Sequence, residues 1–562
     1  MKFKDFQYQR IDFNNYKNEY QSYLDKLEKT NDIHQFEVIF YQLNKLRNDL
    51  YTNFNIASIR HTIDTSDKFY DDENNYWDEY LPMFRSLDVK LYQLCLDSKL
   101  PLEQILPKTF LQLGSNAIKS FDEKIIPLMQ KENNLTSQYS KLISSAKIEF
   151  QGETHNLSGL SKFKLNPDRN IRKQVLQAQW TWFEQNEEQI DEIYDQLVQV
   201  RTQMAKELGY NNYQELGYVI MNRLDYNKDD IEILHNEIIK QVVPNIKFID
   251  EQHAKRINVD KVKAYDASYL FTQGNLEVKE DSETLLKYAQ QMYSEMSKET
   301  KEFFDVMVQQ ELFDLETKPN KAMGGYCSDL ANYKVPFIFS NFNHTSGDVD
   351  VLTHEAGHAL QCYETFKHTT DIVECAFPTY ESAEIHSMSM EFLAYPWMHL
   401  FFKEDVNKYF YKHLSGCLTF LPYGTLVDHF QHEVYQHPEL TKEERKQTWR
   451  NLQKQYQPEL DFDDIDMLNK GCYWYQQSHI FCSPFYYIDY VLAQICALQF
   501  YIRTLKNDPQ TFNDYLTICR LGGTKSFLQL VEAAHLQSPF KEGTLKEIVE
   551  LSIKELNKIN ID

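Results

Sequence analysis

Glycine and proline are scarce in this chain. There are 16 of each in 562 residues, roughly 3% apiece against a usual 5–7%, which argues for long helices joined by few tight turns. Positive charge is also in deficit: 59 Lys and Arg face 83 Asp and Glu, for a formal net charge of −24. An acidic surface repels phosphate backbones, so nucleic acid and anionic membranes are not expected as partners. No apolar run is long enough to cross a bilayer. The longest, VLAQICALQFYI (Val491–Ile502), is broken by glutamines and too short. The first residues, MKFKDFQYQRIDF, interleave charges and have no apolar core of the secretory kind. The nine cysteines are odd in number and scattered, with no CxxC pair, as buried or incidental thiols in a reducing compartment would be. These absences lead to the expectation of a cytoplasmic protein.

What is present fits a globular chain with a large core: 42% of residues are apolar and 25% charged. Helical spacing dominates from Asn14 to about Lys141, as in FEVIFYQLNKLRNDLYTNFNIASI (Phe36–Ile59). AKIEFQGETHNL (Ala146–Leu157) alternates around a Gln-Gly pair and predicts a β-hairpin. NPDRNIRKQVLQAQWTWFEQN (Asn166–Asn186) opens a helix with Pro-Asp, and helices are expected to continue to about Leu315 with a break near Gly274. Between Lys318 and Asp350 the character changes. Gly324, Gly325 and Gly347 flank the β-rich run VPFIFSNF (Val335–Phe342), and two short antiparallel strands are expected there. After them the chain reads as helical to its end, with turns near Pro422–Gly424, Gly471 and Gly522–Gly523.

The first helix after those strands carries VLTHEAGHALQC (Val351–Cys362). Residues four apart share a helical face, so His354 and His358 can aim at one point. Two neutral imidazoles suit Zn²⁺, and Glu355 between them can reach a water held there. A catalytic zinc needs a third protein ligand. Chance alone yields H-E-x-x-H in a chain like this on the order of once in tens of sequences, so the pattern requires support. By contrast His432-Glu433 is followed by a histidine only at His437, one position too far, and His429 and His432 read as a polar pair.

Support comes from PTYESAEIHSMSMEFLAYPW (Pro378–Trp397), a largely apolar helix with Glu381, Glu384 and Glu391 on one face. One of these can complete a His₂Glu site while another orients a ligand histidine. Spacing does not choose between Glu381 and Glu384. With the site so composed, Glu355 is the candidate general base for hydrolysis. Oxyanion donors are then needed, and HIFCSPFYYIDYVLAQ (His479–Gln494) offers His479, Tyr486, Tyr487 and Tyr490.

Taken together, GGYC, VPFIFSNFNHTSGDVDVLTHEAGHALQ, AEIHSMSMEFL and HIFCSPFYYIDY resemble the M3 family of zinc oligopeptidases, most closely its oligoendopeptidase F branch. The resemblance covers most of the chain after about residue 110. It implies one Zn²⁺ per chain held by His354, His358 and Glu384, with Glu391 and Asp350 behind the ligands and Glu355 as general base. It also implies that His479, Tyr486 and Tyr490 bind substrate and stabilise the oxyanion. Substrate contacts are expected from Gly324, Gly325, Tyr487 and the VPFIFSNF strand with Phe337 and Phe339, read as an edge to which a peptide adds. The thimet-type branch has a glycine-rich loop between its C-terminal histidine and tyrosines. No glycine lies between His479 and Tyr490, which leaves Tyr486 and Tyr487 interchangeable by one residue. His386, two residues after the implied ligand, is either a neighbour of the site or a polar core residue.

The implied fold is mostly α: a large helical ellipsoid with a deep substrate channel and a thermolysin-like HExxH site beside a small antiparallel β element. The chain divides into an N-terminal helical region (1–190, hairpin near 146–157) and a zinc metallopeptidase catalytic domain (191–562). The expected activity is cleavage of internal bonds in short oligopeptides, with no implied oligomeric state. The alternatives are an HExxH carboxypeptidase trimming C-termini, a non-catalytic peptide-binding protein with a structural zinc, and an iron enzyme with two histidines and a carboxylate.

Overall fold

The computed structural model describes residues 1–561. Helices account for 71% of the chain, so the fold is mostly α. Two compact units are interleaved along it. The first comprises Met1–Ile118, Glu277–Val406 and Cys496–Ser538; the second comprises Lys119–Leu276, Asn407–Ile495 and Pro539–Asp562.

In the first unit, helices Phe13–Lys29, Ile33–Ile63 and Lys68–Asp97 start at aspartates, Asp12, Asp32 and Asp67. Each aspartate accepts backbone N–H bonds from the opening turn. Their inner faces bury Tyr20, Phe40, Leu43, Trp77 and Leu91 in one core. Arg47 is fully buried in that core and pairs with Asp88 at 2.8 Å and with Glu374. Asn44 and Asn48 donate to the Asp371 carbonyl at 2.9 and 2.8 Å. The N-terminal helices thereby grip the connector 371–375, which joins the two helices of the candidate site.

The same unit holds a three-stranded sheet in the order β3-β5-β4, with β3 Phe313–Glu316, β4 Tyr326–Leu330 and β5 Val335–Phe342. β4 is antiparallel to β5, as expected, and β3 is parallel to it. This corrects two expectations. Helices do not continue to Leu315; the last ends at Gln309, and four residues are too few for periodicity to tell strand from helix. Nor is β5 an edge. It is paired on both sides, with every residue but Asn341 buried, so no peptide can add to it. Phe337 and Phe339, at 1% and 0% exposure, are core residues and not substrate contacts.

In the second unit, β1 (Ile148–Phe150) and β2 (Glu153–His155) form an antiparallel hairpin. Its turn residues Gln151 and Gly152 have φ of 51° and 83°, the mirror-image turn that suits strand twist. Helix Arg169–Gln185 is capped by Asp168. The turn expected at Pro422–Gly424 is absent: helix Val406–Gln436 runs through Pro422. Burial of Leu421, Leu426 and Val427 outweighs the missing bond at proline. Gly424 admits a close neighbour, since a Cβ there would lie 2.5 Å from Val491 Cγ2. Among the described residues no helix is long and apolar enough to cross a membrane.

Candidate active site

Helix Ser346–His368 carries the HEAGH motif and helix Tyr380–Leu393 carries the glutamates. The loop entering the motif helix is fixed by Asp348, whose carboxylate accepts from Asn343 N–H at 3.0 Å and His344 N–H at 2.8 Å. Further along, Gln361 donates to the Ala376 carbonyl at 2.9 Å and Thr365 to the Cys519 carbonyl at 2.8 Å. The motif glycine sets how closely the two helices pack. A Cβ at Gly357 would lie 2.5 Å from the His386 carbonyl oxygen and 2.6 Å from Ser387 Cα. Only hydrogen fits there, so backbone meets backbone.

That contact brings the donors together. Glu384 Oε2 lies 3.3 Å from His354 Nε2 and 3.6 Å from His358 Nε2, and all three ligand atoms fall within 4.8 Å of one another. Ligands about 2.0–2.1 Å from a tetrahedral zinc are separated by roughly 3.3 Å, so the donors match that ion in type and spacing. His354 Nδ1 is 2.7 Å from Glu391 Oε1, an orienting bond that leaves Nε2 for a metal. Asp350 lies one helical turn before His354, whose Nδ1 is met by Glu391. Glu384 Oε2 also accepts from Ser387 Oγ at 2.9 Å. The His354 side chain remains a quarter exposed, so the cradle is open on one side.

The electrostatics of the site follow from burial and pairing. Burial pushes the Glu384 carboxyl up, but the His354 hydrogen bond and the neighbouring imidazoles prevail and hold it at about 2. Burial lowers His358 to about 4, so it is neutral and able to ligate. Burial lowers His354 too, but its bonds to Glu384 and Glu391 outweigh that and raise it. Burial raises Glu355 to about 7. Glu355 Oε2 is buried without a hydrogen-bond partner among the described residues. Gly325 lies against it: a Cβ there would be 3.7 Å from Glu355 Oε1. Gly324, in the same loop, adopts φ +98°, and its carbonyl accepts from Asn341.

In the second unit, His479, Tyr486, Tyr487 and Tyr490 form one cluster. The His479 ring centroid lies 5.8, 4.8 and 6.1 Å from those of the three tyrosines. Gln477 Nε2 donates to His479 Nδ1 at 2.8 Å while its Oε1 accepts from Tyr423 at 2.7 Å. This assigns the proton to His479 Nε2. Burial lowers its pKa, keeping it a neutral donor. Tyr487 also packs on Tyr423 and Phe420. Sequence reasoning missed Gly357, Ser387 and Gln477. Ser387 was visible as a hydroxyl three residues after Glu384; Gly357 carried no signal until the helices met. His386 is fully buried, with Nδ1 on the Ser382 carbonyl, a polar core residue in contact with the Gly357 surface.

A second carboxylate group, Glu187, Asp191 and Glu443, also has the spacing of a cation site. It already holds one: the Lys446 ammonium lies 2.6, 2.8 and 2.8 Å from the three carboxylates.

A helical frame in which two imidazoles and a glutamate converge beside a buried carboxyl is an arrangement suited to a metallopeptidase. More particularly, the chain belongs to peptidase family M3, whose model matches residues 162–550, with the M3 N-terminal domain model matching residues 3–121. The solved structure of PZ peptidase A with an inhibitor is 45% identical, covers all of both chains and superposes with a TM-score of 0.91. A putative oligoendopeptidase F from Bacillus anthracis is 42% identical over 100% of this chain and 99% of that one, with a TM-score of 0.86. The oligoendopeptidase F homolog of Borreliella burgdorferi is 23% identical, covering 99% of this chain and 93% of its own. These likenesses fall in the oligoendopeptidase F branch.

Proposed function

We propose that this chain is a zinc-dependent endopeptidase that hydrolyses internal bonds of short oligopeptides in the cytoplasm. His354, His358 and Glu384 would hold one Zn²⁺, which supplies Lewis-acid polarisation and acidifies water at neutral pH. The observation that carries the reading is Glu355: a buried carboxyl beside the ligand pair whose Oε2 has no hydrogen-bond partner among the described residues, which a closed structural site has no use for. Glu355 accepts the proton of the attacking water and passes it to the leaving amine. Glu391 fixes the tautomer of His354. His479 donates from Nε2 to the developing oxyanion, with Tyr486 and Tyr490 as further donors. The peptide adds as a strand to β4, whose outer side no strand occupies among the described residues. Gly325, just before β4, leaves the approach to Glu355 clear.

The test is mass spectrometry of short peptides, free or amidated at the C-terminus, incubated with zinc-loaded wild type and Glu355→Gln. Internal fragments from both peptide forms with wild type, and none with the variant while zinc stays bound, are expected. Cleavage that vanishes on amidation would assign a carboxypeptidase. Intact peptides with zinc-loaded wild type would remove the peptidase reading.

A further inference from the structure

The turn between His479 and Tyr486 reverses without glycine. Phe485 takes φ +65°, a left-handed conformation that a bulky aromatic residue rarely adopts and that persists only where its surroundings impose it. Those surroundings are specific. Arg223 Nη2 donates to the Phe485 carbonyl at 2.8 Å, and the Phe485 N–H donates to Gln431 Oε1 at 3.0 Å. The ring lies on Gly217, where a Cβ would be 2.6 Å from Phe485 Cδ2 and 2.8 Å from Cε2. Tyr213, Tyr218, His432 and Tyr435 surround it. Arg223 also pairs with Asp489 at 2.5 Å, both side chains being buried. One guanidinium thus joins the turn to the first turn of helix Tyr487–Leu505. On the other side, Arg201 holds the Phe481 carbonyl at 2.5 Å.

We propose that Phe485 is a positioning residue and Gly217 its socket: seating the ring on Gly217 fixes the left-handed turn and so the direction in which Tyr486 leaves it toward His479 and Tyr490. A glycine would leave this turn free to sample several directions; here the cluster is held in one. The inference rests on the proposed role of His479 and Tyr486 as donors. The Gly217 Cβ position faces the Phe485 ring and Gln431 Oε1 accepts from the Phe485 N–H, so both act through Phe485.

Gly217→Ala tests this. Alanine favours the helix Tyr213–Ile220 more than glycine does, while its methyl group displaces the ring. A misplacement of about 1 Å can cost about a hundredfold in rate. The expected result is a fall in kcat of at least about tenfold, with KM changed by less than about threefold and with zinc content and melting temperature near wild type. Gln431→Leu removes the acceptor from the Phe485 N–H without touching the socket and should give the same signature. It decides alone if Gly217→Ala does not fold. His479→Ala and Tyr486→Phe are measured alongside. If these two lower kcat while Gly217→Ala and Gln431→Leu leave it within threefold, the positioning role is refuted and the donor reading stands. If they are silent, the donor reading fails and the positioning role with it. A loss of kcat that follows a lowered melting temperature in both positioning variants also overturns the proposal, since it would reflect stability alone.

Discussion

Gly357→Ala isolates the helix contact on which the metal cradle depends. The added Cβ would sit 2.5 Å from the His386 carbonyl oxygen, whereas carbon and carbonyl oxygen approach to about 3.3 Å. Relief requires the two helices to part by about 0.8 Å. Donor separations of 3.3 and 3.6 Å would then stretch beyond 4 Å, when metal–ligand distances tolerate about 0.2 Å. Global stability should change little. Alanine gains about 1 kcal/mol over glycine in a helix, and overpacking costs about 1–3 kcal/mol, for a net loss within about 2 kcal/mol. Zinc binding carries the damage, since one ligand leaves its partners: a loss of at least about a hundredfold in affinity, about 2.7 kcal/mol. Competition with a chromogenic chelator at fixed pH measures the affinity. Melting with and without zinc checks it, because the increment due to metal should shrink by the same amount. Zinc affinity within threefold of wild type, in a variant that folds, would refute the contact as the determinant of ligand spacing.

Two further substitutions test separate parts of the structure. Glu391→Ala removes the partner of His354 Nδ1 and should weaken zinc binding by about 10–100-fold while leaving the metal-free melting temperature within a few degrees; unchanged affinity would show that His354 needs no such support. His432, in the second unit, is buried against Asp428 at 3.4 Å, and burial depresses it to about 4. The unfolded chain takes up that proton near pH 6.5, so its contribution to stability is complete above about 6.5 and is lost as pH falls toward 4. The stability difference between wild type and His432→Gln in urea should therefore shrink between pH 7 and pH 4.5; a difference that is constant or grows on acidification contradicts the assignment.

The parts of the site that follow local periodicity can be read from spacing alone; those made by tertiary contact cannot, and the choice of Glu384 came from the family resemblance. Helical spacing alone puts His354 and His358 on one face, and the carboxylates of the next helix announce a third donor. Spacing left Glu381 and Glu384 open because both lie on the inward face; the packing at Gly357 brings Glu384 to the imidazoles, while Glu381, buried on the same helix, is not one of the three converging donors. β5 reads as an edge strand only while β3 goes unseen, and four residues such as FDLE carry no signature of the parallel pairing they make. Pro422 and Gly424 are turn residues by propensity. Their neighbours bury enough apolar surface to keep the helix intact. The tautomer of His479 depended on Gln477, which no pattern singles out.

Lys446 gives the chain an internal counter-ion. Its ammonium fills the one carboxylate group outside the HEAGH cradle whose spacing would suit a metal among the described residues, and it is tethered there by a covalent stem that no dialysis removes. A soluble divalent ion would have to displace a charge the protein carries with it, whereas the cradle of His354, His358 and Glu384 has no such occupant. Discrimination between the two sites thus needs no difference in intrinsic affinity. Metal titration of the stripped chain should saturate at a single equivalent, and Lys446→Met should open a second, weaker class of sites.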